Sequence, residues 1–100
     1  MVVHELVSTE EIFTEELKQG YHVLLRKYET VNVRVSDAGC IQEMEHGNED
    51  VVEVVFDPGN EYSLVQLGSY TFENEKPSLL EVQQTILKHH RDIFKGAISA

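Results

Sequence analysis

Lysine and arginine are scarce in this chain, eight in all against eighteen Asp and Glu, giving a formal net charge of −10. None falls between Val35 and Glu75, a stretch that holds Asp37, Glu43, Glu45, Glu49, Asp50, Glu53, Asp57, Glu61, Glu73 and Glu75. Phosphate contacts come from Lys and Arg, so this balance argues against direct binding of DNA, RNA or an anionic membrane. It favours a partner with a basic surface. Cysteine is almost absent: Cys40 stands alone, which excludes an intramolecular disulfide and suits a reducing cytoplasm. No apolar run approaches the roughly 18–20 residues of a membrane span. The opening residues Met1–Glu5 lack the basic region and apolar core of a signal peptide, so a cytoplasmic location is expected.

What is present suits an ordered domain. At 41% apolar and 26% charged, the 100 residues read as one unit able to bury a single core. Residues 1–7 suit an arm or a short strand. Ser8-Thr9-Glu10-Glu11 then matches a capping box, with Val7 and Ile12 placed as a hydrophobic staple. Lys18-Gln19-Gly20 reads as a stop, which would leave Tyr21–Tyr28 as a strand. Phe13, Leu17, Tyr21, Leu24 and Tyr28 nevertheless keep helical spacing through Gly20, and this favours a helix to about residue 28.

Thr30–Ser36 alternates as a half-buried strand, and Asp37-Ala38-Gly39 supplies a hairpin loop. Strands are expected at Cys40–Glu45 and Val51–Phe56 about a turn at His46-Gly47-Asn48. Asp57-Pro58-Gly59-Asn60 is the strongest turn signal, returning the chain as Glu61–Leu67, with Gly68 breaking or bulging it. Ser78-Leu79-Leu80-Glu81 after Pro77 forms a second capping box. Leu79, Val82, Ile86, Leu87, Ile93 and Phe94 continue it as one helical stripe, before a loose tail at residues 95–100. The expected fold class is α+β: an N-terminal helix, a four-stranded antiparallel meander and a C-terminal helix, with both helices on one sheet face.

Motifs for chemistry are weak. His89 and His90 are adjacent, about 100° apart on a helix, and lack the i,i+4 spacing of a two-histidine metal site. His90 sits near the apolar stripe, where a hydrogen-bonded boundary histidine is the ordinary reading. Met44–Asp50 is acidic and contains Gly47, but it lacks the ligand spacing of a calcium loop and reads as a solvated turn. Cys40 lies among carboxylates, which disfavour thiolate, and suits a small buried or half-buried position. Gly39, Gly47, Gly59 and Gly68 are single turn glycines and form no phosphate loop. Tyr62, Tyr70 and Phe72 lack the basic neighbours of a nucleic-acid stacking platform.

The informative feature is a sheet apolar on both sides. In Val51–Phe56 alternation sends Val52, Val54 and Phe56 one way and Val51, Glu53 and Val55 the other. A surface of Val51 and Val55 ringed by Glu43, Glu45, Glu49, Asp50, Glu53, Asp57 and Glu61 suits a partner protein with a basic face. The expected function is a small acidic, non-enzymatic interaction module, an inhibitor masking a nucleic-acid-binding surface. No metal or cofactor is expected. A homo-oligomer formed through the sheet, or a small-ligand or metal-binding domain, are the alternatives.

Overall fold

The computed structural model describes residues 1–59 and 63–96, the side chain of Glu43 apart. The chain is mostly β. Strands β1 (Val2–Ile12), β2 (Tyr21–Val35), β3 (Ile41–Phe56) and β4 (Val65–Glu73) form one antiparallel meander in the order β1-β2-β3-β4. Among the described residues one α-helix, α1 (Leu79–His90), follows and continues as a 3-10 turn, Arg91–Ile93.

There is no N-terminal helix, which corrects the α+β expectation of two. Val2, Val3, Val7 and Thr9 are β-branched, and residues 2–12 pair with β2 along nearly their whole length. Sheet pairing overrides the capping box. The stop at Lys18-Gln19-Gly20 is the signal that operates: Gly20 adopts φ +90°, and Tyr21 begins β2 immediately after it. Between the strands, residues 13–20 turn with Phe13 at φ +56° and pair with the C-terminal segment. Leu17 bridges Phe94, Lys18 N–H donates to Ile93 O at 2.8 Å, and Lys95 N–H donates to Glu16 O at 2.7 Å. Lys95 is therefore anchored, while residues 97–100 of the expected loose tail lie outside the described residues.

A second correction concerns His46-Gly47-Asn48, which lies inside β3 and makes one sixteen-residue strand where two were expected. Gly47 serves close approach here. A Cβ on it would meet Thr30 Oγ1 at 2.8 Å and Asn74 Oδ1 at 3.0 Å. Asp37-Ala38-Gly39 does connect β2 to β3, with Gly39 at φ +82° and its N–H donating to Ser36 O. The pairing of β3 with β4 skips Leu67, so a bulge sits immediately before Gly68. At the next turn, Gly59 N–H donates to Asp57 Oδ1 at 2.9 Å; residues 60–62, and with them the expected start of the fourth strand, lie outside the described residues.

The core occupies one end of the sheet. Val23, Leu25, Val52 and Val54 pack under Val82 and Ile86 of α1, closed by Ile12, Leu17, Ile93 and Phe94. Ser78 caps α1 by accepting from Glu81 N–H at 3.1 Å. Twelve helical residues span about 18 Å at 1.5 Å each, whereas the molecule is 59 Å long. The helix therefore covers only part of one face. β4 ends at Glu73, opposite Glu49, and Asn74 ties it off by donating its N–H to Asn48 O. Beyond that point β1, β2 and β3 continue as a three-stranded arm. The radius of gyration, 17.3 Å, compares with about 13 Å for a compact chain of 100 residues. The arm accounts for the excess.

Candidate interaction surface

The arm comprises residues 2–6 of β1, 28–35 of β2 and 41–48 of β3, and among its described side chains none is buried. Strand alternation and register assign every position to a face. Val52, Val54 and their partners Leu25 and Val23 lie under α1 and define the helix face. On the opposite, open face lie Glu45, Glu49, Val51, Glu53 and Val55 of β3, with Glu43 at the matching register position across from Arg34.

Side-chain contacts agree with this assignment. On the open face Arg26 Nη1 lies 3.3 Å from Glu53 Oε1, His22 Nδ1 lies 2.6 Å from Glu11 Oε1, and His4 Nε2 lies 3.6 Å from Glu49 Oε2. His4 also meets the Tyr28 ring edge-on.

The sequence-derived site divides on this geometry. Glu45, Glu49, Val51, Glu53 and Val55 share the open face, but they spread over about 33 Å of strand at roughly 3.3 Å per residue. Val55 is only 5% exposed and Val51 is half-buried, so Val55 offers a partner almost no contact area. Asp50 is on the helix face, opposite Lys27 and Phe72, and is buried. Asp57 lies beyond the end of β3 in the turn, its N–H donating to Gly20 O at 2.7 Å. Glu61 lies outside the described residues.

The exposed aliphatic groups are elsewhere. Val2 (56% exposed) and Leu6 (51%) lie on the open face of the arm beside His4 and Tyr28, two strand spacings, about 10 Å, from the Glu45–Glu49 row. Reading residues 1–7 as a paired strand is the signal that would have placed them there. Across its strands the open face thus runs from aliphatic groups on β1 to carboxylates on β3.

The other polar cluster lies under α1. Tyr70 Oη shares a 2.6 Å hydrogen bond with His90 Nε2, and the Tyr70 ring stacks on His89 at 5.4 Å and 19°. Burial raises the Tyr70 phenol above its ordinary value. Burial first, and the neighbouring His89 charge second, lower His90. Both shifts favour a neutral pair, which suits a boundary hydrogen bond holding helix to sheet. Among the described residues no group of three His, Cys, Asp or Glu side chains could hold a metal ion, and no helix is long and apolar enough to cross a membrane. Cys40 is exposed in the loop between β2 and β3, correcting the buried or half-buried expectation; its N–H donates to Ser36 Oγ. No protein-family model, curated protein or solved structure matches the chain.

Proposed function

We propose that this protein is a non-enzymatic interaction module whose arm lays its open face on a basic surface of another protein, masking a nucleic-acid-binding site there. The observation that carries the reading is the arm itself: three strands project past the core with both faces in water. Such an extension buries no core of its own, and three-stranded sheets need a packed apolar face for independent stability. Glu45 and Glu49 supply attraction at long range, and Val2, Leu6 and Tyr28 supply the area that is then buried. The partner is a cytoplasmic protein rich in Lys and Arg at the contact; the chain itself touches neither nucleic acid nor membrane.

The test is capture from lysate by immobilised protein, wild type against Glu45→Lys/Glu49→Lys, with a salt gradient and heparin as competitor. Captured proteins should be basic, should elute with rising salt or heparin, and should fall by about ten-fold with the double reversal. Glu45 is exposed, so its reversal should leave stability within about 0.5 kcal/mol. Capture that ignores the reversal and the salt alike would refute the reading.

A further inference from the structure

Past the end of α1, the helix face of the arm carries a different surface from the open face. Val3, Val31, Val33, Val35, Ile41 and Met44 lie on it in three adjacent strands, paired Val3–Val31, Val33–Met44 and Val35–Ile41. Ile41 is 63% exposed and Val35, Met44 and Val3 about half. No carboxylate stands among them; the polar groups there are His46, across from Val31, and the Met1 ammonium, which donates to Val33 O at 3.0 Å at the edge. Glu43 and Glu45 fall at open-face positions of the register, and Glu5 and Glu29 face each other only at the patch's inner border.

We propose that this carboxylate-free face is covered by the same face of a second copy, two arms stacking sheet on sheet about a two-fold axis. Charge argues for a copy over a basic partner: the patch offers a cation no carboxylate, and the stack turns the acidic open faces of both copies outward. Like charges of two −10 chains then stay apart by the thickness of two sheets, about 10 Å between stacked backbones.

Area sets the strength. Three strands at about 4.8 Å spacing, over some seven residues at about 3.3 Å each, give a footprint of roughly 330 Å² per copy. The pair then covers on the order of 660 Å² of plan area, the scale of a weak and transient contact. A dimer of that size is weak and concentration-dependent. It is separable from the proposed function, because it uses the opposite face of the arm and responds oppositely to salt. Screening strengthens apolar contact between like-charged chains, while it weakens capture of a basic partner.

Sedimentation equilibrium of the full chain between about 1 µM and 1 mM, at low and high salt, tests this. A monomer–dimer equilibrium that tightens with salt is expected, and Ile41→Lys or Met44→Lys should shift it at least ten-fold toward monomer. Glu45→Lys, on the open face, should not loosen it. Cys40 is the chain's only cysteine, so a nitroxide there reads the pair directly: one defined inter-copy distance in wild type, lost in Met44→Lys. Circular dichroism melts confirm that each variant folds. A monomer at every concentration, or a dimer indifferent to both lysines, would overturn the proposal. Loss of capture without loss of the dimer would fault the functional reading alone.

Discussion

Gly68 occupies the most constrained backbone position beneath α1, and replacing it with alanine tests how helix and sheet are joined. It stands opposite Val54 on the helix face, directly after the bulge at Leu67. A Cβ there would meet His90 Nε2 at 2.7 Å, Tyr70 Oη at 3.0 Å and Tyr70 Cε2 at 3.2 Å. Neither side chain retreats freely, because the two are bonded to each other and Tyr70 is stacked on His89. Overpacking costs about 1–3 kcal/mol, and loss of the Tyr70–His90 bond adds about 1 kcal/mol. The smaller unfolded-state entropy of alanine returns about 0.4–1 kcal/mol.

The net loss is about 2 kcal/mol, which for a domain of this size lowers Tm by roughly 8–16 °C. Circular dichroism melts read the loss directly. The cause is separable by a cycle with His90→Ala, which removes the nearest obstructing atom. Gly68→Ala should then cost about 1 kcal/mol less than in wild type. A neutral Gly68→Ala, or costs that simply add, would refute the claim that this glycine exists to admit the Tyr70–His90 pair.

The lowered His90 pKa gives a pH signature. The unfolded imidazole takes up a proton near its ordinary 6.5, while the folded one does so only at lower pH. The stabilising difference is whole above that value and is lost as pH falls through the folded pKa. His90→Gln should remove this component from the decline of Tm between pH 7 and 5, and an unchanged decline would exclude it. Ile86 is fully buried between α1 and the sheet, so Ile86→Ala should cost about 2–5 kcal/mol in urea unfolding. A loss below 1 kcal/mol would mean that the helix is not the main cover of this core.

Much of the chain after β2 was legible because its signals are local. Ser78 and Glu81 make their cap through neighbouring atoms, and Gly39 supplies a positive φ whatever surrounds it. The N-terminal half failed for the converse reason. Ser8-Thr9-Glu10-Glu11 is a sound helix start in isolation, but residues 26 and 27 are waiting as strand partners for residues 9 and 8. That partnership is non-local and leaves no mark within a capping box. The spacing of Phe13, Leu17, Tyr21 and Leu24 fits a helix only by coincidence. Leu17 is buried by a bridge to Phe94, and Val23 and Leu25, not Leu24, enter the core. Gly47 misled differently: glycine marks both turns and close approaches, and only Thr30 and Asn74 decide which. The candidate surface inherited these errors. With β3 cut at Gly47 the arm is invisible, and the apolar contact is assigned to Val51 and Val55 near the core instead of to Val2 and Leu6.

If the arm is there for contact and not for stability, the domain should survive without it. Among the described side chains every buried one lies outside it, from Ile12, Leu17, Val23 and Leu25 through Asp50, Val52, Val54 and Val55 to Phe94. Thr30 pairs with Gly47 and Val31 with His46, so residues 31–46 can be exchanged for an Asn-Gly turn that closes β2 on β3 in register. The cut removes exposed apolar surface and a row of carboxylates while leaving the cluster beneath α1 whole. The arm's hydrogen bonds contribute little net free energy where water competes for both partners, and the shorter loop lowers closure entropy slightly. The truncated chain should therefore melt within a few degrees of the full one, sediment as a monomer and capture nothing basic. Should it fail to fold, the arm would be part of the cooperative unit. Val31, Val33 and Val35 of β2 would then have to be read as structural, and neither face of the arm could be assigned to a partner on the ground that the core does not need it.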